Sequence, residues 1–100
     1  MDITLKRLTP DQAARLFPGC LTDDVMESEE QNKVEEGYHT LSLSPDGTRL
    51  LSSCYEISFI SWAVWDPGIQ DWRNLEDADW DLYWTLHEAD SITYNDRLPV

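Results

Sequence analysis

The chain has 100 residues, enough for one domain with a modest core. It carries 20 Asp and Glu against seven Lys and Arg, a formal net charge of -13, which excludes nucleic acid and anionic membranes as natural partners and favours a basic protein. Two cysteines make no disulfide framework, whereas 41% hydrophobic residues, five of them Trp, supply large side chains for a core.

Residues 2–8 (DITLKRL) alternate, with Ile3, Leu5 and Arg7 on one face, and predict a first strand. The start MDITLKRL has no apolar leader region, and no apolar run approaches the roughly 20 residues that span a bilayer. A soluble, cytoplasmic protein is the expectation. In TPDQAARLFPG, Thr9 is an N-cap, Pro10 suits the first helical position and Gln12 completes a capping box. Ala13, Leu16 and Phe17 form the apolar face of this short helix, and Pro18-Gly19 ends it. Residues 22–37 carry seven acids and one Lys, with only Val25, Met26 and Val34 apolar. They read as a solvated acidic helix, capped by Thr22 and closed by Gly37, or as a loop.

From Tyr38 the pattern turns to β. YHTLSLS and TRLLSS flank SPDG, where Pro45 presets φ for a type I turn and Gly47 accepts a positive φ, so a hairpin is expected. SLSPDGTRLLSS resembles a hairpin of a WD-repeat propeller blade, but it occurs once, and a propeller needs many blades of about 40 residues. Residues 55–65 (YEISFISWAVW) predict a central strand buried on both faces near its end. Asp66-Pro67-Gly68 breaks it, and 69–76 suggest a short helix with Ile69, Trp72 and Leu75 inward.

Residues 77–88 read DADWDLYWTLHE. Trp80, Leu82, Trp84 and Leu86 alternate with polar residues, which predicts a strand anchored by those four side chains. Leu75, Ala78, Leu82 and Leu86 also fit a helical spacing; on a helix Asp77 and Asp81 would still share a face and Asp79 would turn away. SITYN at 91–95 is an expected edge strand. Together these elements imply a single α+β domain, 1–100. It has an antiparallel sheet of about four to five strands, a short N-terminal helix and an acidic second helix or loop.

Asp77, Asp79, Asp81 and Glu88 fall at calcium-loop positions, but Leu82 replaces the glycine of the sharp turn and no exit helix follows. Cys20, His39, Cys54 and His87 lack the paired spacing of zinc ligands. The hairpin brings His39 toward Ser52, Ser53 or Cys54, yet no oxyanion hole or glycine-rich elbow accompanies them. No catalytic residue, metal ligand or cofactor is therefore assigned, and a non-enzyme is expected. The bases Lys6, Arg7, Arg15, Lys33, Arg49, Arg73 and Arg97 are scattered, so no nucleic-acid patch forms.

The acids are the candidate partner-binding residues. On a strand, Asp77, Asp79 and Asp81 would stand about 6.6 Å apart, close to the scale of a phosphate backbone. Asp71, Glu76, Glu88 and Asp90 lie nearby, and Asp23, Asp24, Glu27, Glu29, Glu30, Glu35 and Glu36 form a second block. In size and acidity the chain resembles small phage-encoded inhibitors of bacterial defence, the anti-CRISPR and anti-restriction proteins, several of which mimic DNA. The resemblance implies a stoichiometric inhibitor, monomeric by expectation, that occupies the DNA-binding channel of a CRISPR effector or restriction enzyme. The alternatives are an immunity protein against a basic nuclease toxin and, in another class, a small Cys/His enzyme or metal-binding protein.

Overall fold

The computed structural model describes residues 1–22, 39–56 and 59–99, with the side chains of 39, 55, 56 and 59 also outside the description. The acidic helix or loop expected at 22–37 lies outside it apart from Thr22. With it go Asp23, Asp24, Glu27, Glu29, Glu30, Glu35 and Glu36, and Tyr38, where the first strand of the hairpin was expected to open.

The first elements are strand β1 (Asp2–Lys6) and helix α1 (Pro10–Leu16). Thr9 and Gln12 form the expected capping box: the Gln12 amide donates to Thr9 Oγ1 at 3.2 Å and the Thr9 amide to Gln12 Oε1 at 2.9 Å. Ala13 is buried and Phe17 packs on the core, but Leu16 is 43% exposed, because a helix this short turns only a narrow stripe inward.

Strands β2 (His39–Leu43), β3 (Leu50–Glu56), β4 (Phe59–Asp66) and β5 (Asp71–Asn74) form an antiparallel sheet in sequential order. The β2–β3 hairpin turns as its sequence dictates. Gly47 has φ +77, its amide donates to the Ser44 carbonyl at 2.8 Å, and the Ser44 amide donates to the Arg49 carbonyl at 2.8 Å. The Asp46 carboxylate accepts from the Ser44 hydroxyl at 2.6 Å and from the Thr48 hydroxyl and amide at 2.8 and 3.0 Å.

Two expectations need correction here. Residues 55–65 are not one strand: Glu56 pairs with Phe59 across the antiparallel β3–β4 register, so the chain reverses between them. The stretch 69–76 is not one helix. Gln70 takes φ 53, and β5 then pairs with β4 and sets Trp72 opposite Trp65. Those two indoles meet edge to face with centroids 5.6 Å apart, and Trp72 Nε1 donates to the Cys20 carbonyl at 2.9 Å. Covering Trp65 requires a strand here, and it leaves Ile69 exposed at the turn.

Helices α2 (Leu75–Ala78) and α3 (Trp80–His87) follow, and then strand β6 (Ser91–Asn95). The strand expected at 79–87 is thus overturned. Leu75, Leu82 and Leu86 pack with Ile3, Leu5, Leu51, Trp62 and Val64 at helical spacing, whereas Trp80 and Trp84 point to solvent. A helix satisfies its own backbone groups and needs only one apolar stripe, and Leu82 and Leu86 supply that stripe one turn apart.

The two chain ends meet as a parallel pair, β1 with β6, in register from Asp2–Ser91 to Lys6–Asn95. An Arg7–Ser42 bridge and a Leu8 amide bond to the Leu41 carbonyl at 2.9 Å join this pair to β2. Both faces of the four-stranded sheet are covered. Leu41, Leu43, Leu50 and Trp65 pack with α1 on one side, and Leu51, Trp62 and Val64 pack with β1, α2 and α3 on the other.

Two outcomes check this arrangement. Leu86→Ala should cost about 2–5 kcal/mol in urea unfolding, while Trp84→Ala costs less than about 1 kcal/mol; equal losses would restore the strand. The three hydrogen bonds to Asp46 lower its carboxyl from the ordinary 3.8 to about 2. Since the folded value is the lower, the stabilisation is complete above the ordinary value and is lost as pH falls through about 2. A carbon NMR titration of Asp46 should show a midpoint near 2, and Thr48→Ala should raise it.

Candidate functional site

Residues 71–90 hold seven acids and one arginine, and the fold sorts those acids by role. Asp71 opens β5, and its carboxylate accepts from the Trp72 amide at 2.8 Å. Asp79 sits between α2 and α3 with a non-helical backbone, φ -152 and ψ 86. Its Oδ1 accepts from the Leu82 amide at 3.1 Å, capping α3, and its Oδ2 lies 3.1 Å from Arg49 Nη1. Asp79 is therefore a structural group that ties the second helix of the pair to the β2–β3 hairpin. Asp90 pairs with the N-terminal ammonium at 2.6 Å.

Glu76 and Asp77 on α2, Asp81 in the first turn of α3 and Glu88 at its C-cap are exposed. Among the described residues, none of these four carboxylates meets a basic side chain within ion-pair distance. Arg73, the one base within residues 71–90, lies 3.5 Å from Asp66, and Arg49 is engaged with Asp79. The evenly spaced row of Asp77, Asp79 and Asp81 is corrected accordingly. The break between the helices falls at Asp79, so Asp77 and Asp81 lie on different helices, and Asp79 turns to Arg49.

Helix dipoles account for part of this charge. Glu76, Asp77 and Asp81 lie in first turns, where a carboxylate is favoured. Glu88 lies at the opposite end of α3, where the dipole disfavours a negative charge, so helix stability does not explain its placement.

Beside the acids runs an aromatic ladder. Trp80 and Trp84, one turn apart, stack with centroids 5.6 Å apart and planes 24° apart. Trp84 stacks on His87 at 5.1 Å and 13°, and Tyr83 stacks on Trp80 at 5.6 Å and on His87 at 5.8 Å. Tyr83 is half-buried against the core, but Trp80 is 57% and Trp84 44% exposed. The alternating pattern had assigned both tryptophans to the core. Helical spacing carries the contrary signal, because residues 80, 84 and 87 fall on the side opposite Leu82 and Leu86.

His39 stands opposite Cys54 in the β2–β3 register. The Ser53 hydroxyl is committed to the Tyr94 hydroxyl at 2.7 Å, tying β3 to β6. Cys20 is buried in the core beside α1, where burial pushes its thiol up, and neither it nor Cys54 forms a disulfide. Among the described residues no group of His, Cys, Asp or Glu is gathered as a metal site, and no helix is long and apolar enough to cross a membrane. Asp79 is engaged as a cap and α3 runs between it and Glu88, so the calcium-loop spacing wraps no loop. A small groove of about 190 Å³ lies between Arg7, Leu8, Thr9, Pro10 and Asp96.

The chain matches no known protein family, no curated protein and no solved structure.

The division of labour among the acids is measurable. Asp79→Ala should cost about 1–2 kcal/mol of stability by loss of the α3 cap, while Asp81→Ala and Glu88→Ala stay within about 0.5 kcal/mol. Urea unfolding of the three variants checks this, and an unperturbed Asp79→Ala would remove Asp79 from the structural set.

Proposed function

We propose that the protein is a stoichiometric inhibitor that works by binding. It presents the carboxylates of the α2–α3 segment to a basic, nucleic-acid-binding partner and so occupies that partner's DNA site. The observation that carries this reading is the set of exposed carboxylates that form no ion pair among the described residues, Glu76, Asp77, Asp81 and Glu88, beside two exposed tryptophans on one short helix. A net charge of -13 adds a field that draws cationic surfaces in from a distance. Exposed charges of this kind speed association and make it strongly salt-dependent. A CRISPR effector or a restriction enzyme of a bacterial host meets the description of such a partner, in keeping with the acidity and size of the chain. Because Asp79 is committed to Arg49, the mimicry rests on a cluster of acids and not on a regular row.

The test is capture from a bacterial lysate at low and high salt, followed by DNA-binding assays on the captured protein. A DNA-binding protein should be retained at low salt, released at high salt, and prevented from binding DNA at one-to-one stoichiometry. The triple change Glu76→Lys, Asp77→Lys, Asp81→Lys should abolish capture without unfolding the chain, since all three side chains are exposed. Capture that survives both the reversal and high salt would refute the proposal.

A further inference from the structure

The exposed ladder on α3 is not explained by charge. A tryptophan that is 57% exposed, followed one turn later by another that is 44% exposed, leaves apolar area in water without a packing return inside the fold. Their mutual stacking, continued onto His87 at 5.1 Å, holds the rings in a fixed row. Fixed aromatic side chains suit an interface, because little rotamer freedom remains to be lost on binding. Carboxylates border the row at helical-neighbour positions: Asp81 is three residues before Trp84 and Glu88 four residues after it.

The charge pattern selects what covers this row. A second copy of the chain would bring another net charge of -13 and is repelled. Nucleic acid and anionic lipid are repelled for the same reason. A cation remains, and aromatic faces discriminate between the two cationic side chains. Arginine presents a weakly hydrated, planar guanidinium that stacks on an indole while donating in its own plane to a carboxylate. The lysine ammonium is a compact, strongly hydrated charge that gains less from such a surface.

We infer that the Trp80–Trp84 ladder of α3, bordered by Asp81 and Glu88, is an arginine-receiving contact. It takes guanidinium groups of a basic partner between indole faces and carboxylates. The inference rests on the reading of the protein as an acidic binder and adds the side chain that it selects.

The test uses the full chain and two labelled peptides of equal length and charge, oligo-arginine and oligo-lysine, followed by fluorescence anisotropy. Oligo-arginine should bind about tenfold tighter than oligo-lysine. The double variant Trp80→Leu/Trp84→Leu keeps apolar area but removes the π faces. It should lose the preference while retaining weak, salt-sensitive binding of both peptides, and its unchanged thermal melt would establish that the fold survives. Equal affinity of the wild-type chain for the two peptides, or a preference that survives in the double variant, overturns the arginine contact and leaves the acidic binder standing. Failure of both peptides to bind at low salt overturns the two readings together. A dimer of the free protein that the double variant abolishes would assign the ladder to self-association and overturn the contact.

Discussion

The structure depends on one antiparallel pair, β3 with β4, which buries large apolar side chains on both faces. Leu50 and Leu51 are consecutive and fully buried on opposite sides, and Val64 and Trp65 repeat the arrangement on the neighbouring strand. Such a pair cannot leave either face to water, so every other element becomes a cover. The α1 helix and Trp72 close one side, and the parallel β1–β6 pair and the α2–α3 segment close the other. This requirement also brings the chain ends together, since β1 and β6 both serve the same face.

The second cover sets the character of the surface. An element laid on Leu51, Trp62 and Val64 needs one apolar stripe, and Leu75, Leu82 and Leu86 provide it. Once that stripe is turned inward, helical geometry places Trp80, Trp84 and His87 on the opposite side and leaves Asp81 and Glu88 in solvent. The exposed aromatic and acidic surface is thus the outer side of the same helix whose inner side completes the core. The Arg49–Asp79 ion pair, half-buried, anchors the start of that helix to the turn end of the β2–β3 hairpin. It uses one of the seven acids of this region for the fold and Asp90 pairs with the N-terminal ammonium, while Glu76, Asp77, Asp81 and Glu88 carry charge on the surface.

Much of this was readable locally. The capping box at Thr9 and Gln12 and the SPDG hairpin depend on interactions within a few residues, so their sequence signals survive folding; the first strand and SITYN were readable from their own alternation, although the partner each one pairs with lies at the other end of the chain. The failures lie where alternation and helical spacing coincide. Trp80, Leu82, Trp84 and Leu86 satisfy a period of two, while Leu75, Ala78, Leu82 and Leu86 satisfy a helical one. Nothing within the segment chooses between them, because the choice depends on the surface it meets. Similarly, Trp72 reads as inward on a helix, but its partner Trp65 lies in the preceding strand and draws it into β5.

By itself the sequence determined a single α+β domain with a strongly acidic surface, because charge, capping and turn chemistry are properties of residues and their near neighbours. Only the tertiary structure decided that 80–87 is a helix, that Asp79 belongs to the framework and that Trp80 and Trp84 face solvent. The physical reason is the shape of the face left by β3 and β4. It accepts one stripe of leucines, and that contact fixes which side chains remain outside for another molecule to meet.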